Sequence, residues 1–152
     1  MRLLKVSIAA VLTAGLVAGC VEGRTQVGPN RDHSLRMNEK AFAADAKTRV
    51  YPATAPQAGS APMRAEVDYM LKVINVVNLG DTAWGNAELW VNGQYVCHLP
   101  QIEPKLEKTV NFQILFDAQG ASFPTSLAIA QVKKLELFYD GSLYTVPLHL
   151  AD

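Results

Sequence analysis

The rhythm of apolar and polar positions changes near residue 66. From there Val67, Tyr69, Leu71, Val73 and Val77 alternate with more polar neighbours, the period of two of a half-buried strand. Asn78-Leu79-Gly80-Asp81 supplies turn residues that end it. Two further runs flank Asn92-Gly93, the strongest local hairpin signal, because a type I′ turn needs positive φ at both central residues. Residues 108–117 alternate again, with Val110, Phe112, Ile114 and Phe116 on one face. Residues 134–148 hold a second hairpin around Asp140-Gly141. Residues 125–131 read as a short strand or a helical turn. No long helix is written into this half of the chain.

A two-residue loop fixes register, and register fixes faces. At Asn92-Gly93, Val91 is expected opposite Gln94, Trp90 opposite Tyr95 and Leu89 opposite Val96. Ala87, Leu89, Val91 and Val96 then share a core face, and Glu88, Trp90, Tyr95 and Cys97 the other. At Asp140-Gly141, Leu135, Leu137, Tyr139, Tyr144 and Val146 are expected inward. Lys134, Glu136, Phe138, Leu143 and Thr145 are expected outward. Each hairpin thus carries one apolar pair on its more polar face, Trp90 with Tyr95 and Phe138 with Leu143, each contributing roughly 0.2–1 kcal/mol. Several short strands with frequent turns predict an all-β fold, a small antiparallel β-sandwich. Residues 66–152 resemble an immunoglobulin or fibronectin type III domain in size and strand spacing. The Cys–Trp–Cys set of antibody domains is missing.

Residues 20–65 lack that rhythm. Residues 35–50 have some helical character, with Leu35, Phe42 and Arg49 seven apart, but the apolar face is thin and an isolated helix would be marginal. Residues 52–62 combine Pro, Ala, Gly and Ser without a large apolar side chain, the composition of an extended, semi-rigid linker. The stretch 20–65 is therefore expected to be a flexible tether with a short helix at 35–50. The alternative is that part of it packs on the domain, with Phe42 in a surface groove.

The first residues carry an address. Arg2 and Lys5 precede an uncharged run, 6–19, shorter than the roughly 20 residues of a spanning helix. A basic start, an apolar run and small residues make a secretory signal, expected over 1–19. Leu16-Val17-Ala18-Gly19-Cys20 resembles the lipobox of a bacterial lipoprotein. The resemblance implies that the Cys20 thiol receives a diacylglyceryl group, that cleavage falls before Cys20, and that the new amine is usually acylated, with palmitate among the expected acyl chains. Two or three acyl chains anchor firmly, where one gives only reversible binding. Val21 in place of Asp leans toward the outer membrane in enteric lineages.

Composition narrows function mainly by exclusion. Loss of residues 1–19 removes two of the 14 basic residues and none of the 14 acidic ones, so no electrostatic partner is implied. There is no basic stripe for nucleic acid. With Cys20 lipidated, Cys97 is left single, either a small buried hydrophobe or a free thiol. His33, His98 and His149 lie at no metal-ligand spacing, and adjacent Cys97 and His98 point to opposite faces of a strand. Asp117-Ala118-Gln119-Gly120 has one carboxylate and reads as a loop, as do the surroundings of Glu103 and Glu107. No nucleophile elbow, zinc-protease motif or phosphate loop is present. The expectation is a non-catalytic, cofactor-free envelope lipoprotein that binds a protein partner or supports an assembly. Trp90 and Tyr95 are the candidate patch, since aromatic residues dominate interface hot spots. The alternative is a carbohydrate-binding module, with Trp84, Trp90 and Tyr95 as a stacking platform. A small enzyme ranks behind both.

Overall fold

The structure is a computed structural model that describes Leu35 and residues 38–126 and 128–150. Cys20 and the expected signal segment 1–19 lie outside the described residues. Among the described residues one α-helix, α1 (Glu39–Ala46), precedes nine strands: β1 (Gln57–Ser60), β2 (Met63–Asp68), β3 (Val73–Asn78), β4 (Trp84–Val91), β5 (Tyr95–Ile102), β6 (Glu107–Asn111), β7 (Leu135–Tyr139), β8 (Ser142–Thr145) and β9 (Leu148–Leu150). Two sheets pack face to face, one ordered β1-β8-β7-β4-β5 and the other β6-β3-β2-β9. The pairs β1–β8 and β2–β9 are parallel and the rest antiparallel. The protein is an all-β sandwich, as its alternation predicts. Between the sheets, Ala87, Leu89, Val91, Leu99 and Leu137 meet Ala65, Val67, Ile74, Val76 and Val110 in one core.

The Asp140-Gly141 hairpin forms in the expected register, with φ of 47° and 75° at its loop and Phe138 opposite Leu143. The Asn92-Gly93 hairpin does not. Its turn has the expected positive φ, 56° and 65°, and Gln94 N donates to Val91 O at 3.1 Å. Yet Val91 faces Tyr95, Trp90 faces Val96 and Leu89 faces Cys97, so Gln94 is an extra, bulged residue. The physical reason lies further along β5. The two-residue register would turn Val96 and His98 inward, whereas the bulge turns Cys97 and Leu99 inward and His98 out. Trp90 and Tyr95 consequently sit on opposite faces.

Two other strands are shorter than their patterns. The run from Val67 to Val77 is a hairpin, β2–β3, because Asp68 Oδ1 accepts from Leu71 N at 2.8 Å and Lys72 takes φ 59°. Ile74 and Val76, not Val73 and Val77, then face the core. Tyr69 and Leu71, apolar turn residues, disguised the reversal. Val110, Phe112, Ile114 and Phe116 are all buried, but β6 stops at Asn111, whose side chain accepts from Gln113 N and starts a 3₁₀ turn, Phe112–Ile114. Ile129 N and Ala130 N both donate to Ser126 O, a turn and not a strand.

The largest correction concerns the tether. Within 20–65, α1, β1 and the start of β2 belong to the folded unit, and Leu35, Phe42, Ala46, Ala61 and Met63 are buried. Asn38 caps α1 by accepting from Ala41 N at 2.8 Å. The thin apolar face holds because Phe42 and Ala46, one turn apart, have a sheet to pack on; tertiary burial supplies what an isolated helix lacks. Residues 38–56 therefore run as a strap across the outer face of the larger sheet before β1 joins its edge beside β8. Under it, Glu136 and Leu143, expected outward and wet, are fully buried.

Candidate functional site

The strap is fastened by charge. Arg49 Nε and Nη2 donate to Asp45 at 2.7 and 2.8 Å, a bidentate pair one helical turn apart, and Nη1 donates to Glu88 Oε1 at 2.6 Å. Trp90 Nε1 donates to the other oxygen of Glu88 at 3.0 Å. Tyr51 packs edge-on against Trp90, with centroids 5.4 Å apart, and its hydroxyl donates to Glu136 Oε2 at 2.8 Å. Lys134 Nζ lies 2.7 Å from Glu136 Oε1, too poorly aligned for a hydrogen bond. Each carboxylate on the outward sheet face thus has a partner on or beside the strap, which is how it tolerates burial.

These contacts shift the titrations accordingly. Hydrogen bonding to Asp45, then to Glu88, raises the Arg49 guanidinium against the opposing cost of burial. Burial, then Glu136, raises the Tyr51 hydroxyl. Glu136 raises Lys134. Burial, then the Arg49 charge, lowers His98. Burial pushes the Cys97 thiol up to about 12, so it is a neutral core side chain, its Sγ 3.6 Å from His98 O.

The three aromatic residues expected to share a surface are dispersed. Trp84 is buried against Tyr139 and Tyr144, with centroids 4.7 and 4.8 Å away. The alternation of β4 breaks between it and Trp90 at Asn86, whose φ is 55°. Trp90, 2% exposed, lies beneath Tyr51. Tyr95 is half-buried against Phe123 at 5.0 Å. The aromatic patch and the stacking platform are therefore corrected: these rings are packing elements in three separate places.

What the surface does offer lies at the ends of the sandwich. At one end, beside the 92–94 turn, an open cleft of about 440 Å³ is lined by Tyr95, Phe123, Pro124 and Ile129, with Gln94 and Lys133 among its polar residues. Tyr69, Phe112, Phe123 and Tyr95 form a continuous ladder of edge-to-face rings behind it. Tyr69 Oη accepts from Val132 N at 3.0 Å and ties the β2–β3 turn to this wall. Such a site suits non-covalent docking of an apolar group. Among the described residues no three His, Cys, Asp or Glu side chains gather to hold a metal.

Comparison with known proteins adds no relative. No family model, no curated protein and no solved structure matches the chain.

The strap was missed because Arg49 and Tyr51 stand in a stretch with no strand or strong helix pattern. A signal was nonetheless present. Glu88 and Glu136 share an outward face with Trp90, Phe138 and Leu143, and so much apolar surface calls for a cover.

Proposed function

We propose that this chain is a lipid-anchored protein of the bacterial envelope whose sandwich is a non-catalytic module for protein binding or assembly, the outer membrane favoured. The run Leu16-Val17-Ala18-Gly19-Cys20, behind Arg2, Lys5 and an apolar segment, carries the reading. Leu35 is already buried, so at full stretch the domain stands about 50 Å from Cys20. The glycan alternative has lost the exposed rings that motivated it.

The test is Cys20→Ala in the full chain. The precursor is expected to stay uncleaved in the membrane and to take up no labelled palmitate, while the wild type is cleaved and labelled. A mutant processed like the wild type would remove the lipobox and the reading with it.

A further inference from the structure

The strap is joined to the sandwich more loosely than the strands are to one another. Among the described residues, the backbone–backbone hydrogen bonds of 41–55 close within the strap itself, the last two being Ala53 N to Tyr51 O and Ala55 N to Pro52 O, both at 2.9 Å. Side chains tie it to the body: Phe42 and Ala46 in the core, Arg49 on Glu88 and Tyr51 on Glu136. A segment held this way opens at lower cost than a hydrogen-bonded strand. Its two polar anchors are self-contained. Val50, between them, is 84% exposed, so three consecutive residues present Arg49 and Tyr51 to one face. Residues 52–56, Pro-Ala-Thr-Ala-Pro, then pass through the two tight turns before β1 begins. Pro52 and Pro56 fix their own φ, and Ala55, ahead of a proline, is turned away from helical backbone. The stretch by itself favours an extended course, so local preference and the closed fold conflict in this hinge.

We propose that the strap exchanges between two copies of this chain, each laying residues 38–51 on the sheet of the other, with 52–56 as the hinge. The inference deepens the assembly reading by naming a second copy as partner; the lipid anchor is no part of it. The face beneath the strap selects that occupant. A lifted strap bares Trp90 and Leu143, 2% and 0% exposed in the closed form, together with the Glu88 and Glu136 carboxylates. Such a face is too apolar to stay wet and too acidic for a purely apolar guest. Its cover must bring a guanidinium to Glu88, then two residues on a hydroxyl donor to Glu136 and a ring to Trp90. Residues 49–51 of another copy do so by identity. The neighbouring charges are unchanged by the exchange. His98, across the strands from Glu88, and Lys134, beside Glu136, stay with the sheet, while Asp45 travels with Arg49. The contacts of the closed form are therefore kept in the exchanged dimer, and the difference falls on the hinge, which is straightened.

The test uses the chain from residue 21 onward, which keeps every described residue and no lipid site, so a failed anchor leaves it unaffected. Sedimentation over a concentration series should show monomer and dimer. Ala53→Pro with Ala55→Pro removes both turn donors and stiffens the hinge, and should move the balance toward dimer about tenfold or more. Pro52→Gly with Pro56→Gly should move it back toward monomer. Exchange itself is scored with a carbodiimide, which joins an amine to a carboxylate that it touches. In Arg49→Lys the new amine meets Glu88. When isotope-labelled and unlabelled chains of that variant are unfolded together and refolded, the dimer should contain 49–88 links between a labelled and an unlabelled peptide. A dimer whose 49–88 links all lie within single chains overturns the proposal, because the copies then meet without exchanging straps. So does a folded double-proline variant that stays monomeric at every concentration; if that variant does not fold, the labelled mixture decides alone. A chain that stays monomeric and opens Trp90 to a quencher only when envelope extract is added also overturns it, since the occupant is then foreign.

Discussion

Trp90→Ala separates a packing tryptophan from a binding one. Trp90 is 2% exposed, lies under the Tyr51 ring, and donates to Glu88, which also holds Arg49. Truncating a buried Trp costs about 3–5 kcal/mol, from lost transfer energy and the cavity left behind. The lost bond adds little, because Glu88 is partly exposed and keeps Arg49. A domain of this size has about 5–15 kcal/mol in total, so roughly a fifth or more of the stability should go. Urea denaturation of the chain from residue 21 onward, followed by far-UV circular dichroism, measures it; fluorescence would lose one of its two tryptophans with the ring. Trp90→Phe should recover most of the loss, since it keeps a ring beneath Tyr51. A cost within about 0.5 kcal/mol for the alanine variant, the level of an ordinary surface substitution, would refute the strap's cover of this face.

Tyr51→Phe should cost about 1.5–3 kcal/mol in the same assay, because it leaves the buried Glu136 carboxylate with only the misaligned Lys134, and a negligible change would mean water already reaches Glu136. Alkaline pH should destabilise the fold. The Cys97 thiol ionises near 9 when unfolded and at about 12 when folded, so its contribution is complete below 9 and falls away as pH rises toward 12. Cys97→Ala should flatten that window in pH-dependent denaturation, and an unchanged slope would show that the thiol is not the group responsible. At the acid side, His98 is lowered in the folded state, so its contribution is present above about 6.5 and lost as pH falls below it.

The sequence by itself determined the class of fold and one hairpin to the residue. Alternation at β4, β6 and β7 depends on side chains near in sequence, and Asp140-Gly141 meets a local demand for positive φ. The core positions of β7 followed from that register alone. Tertiary structure decided the rest. Asn92-Gly93 made its turn as local chemistry required, but the choice between burying His98 and burying Leu99 was settled across the sheet, and a bulge at Gln94 absorbed the difference. The fate of Trp90 was settled further away still, by Tyr51 and by an arginine 39 positions along the chain from its carboxylate partner. A face that reads as polar in one dimension becomes interior when a distant segment is laid over it, because burial depends on what arrives from elsewhere and pairing with that segment makes the carboxylates tolerable there.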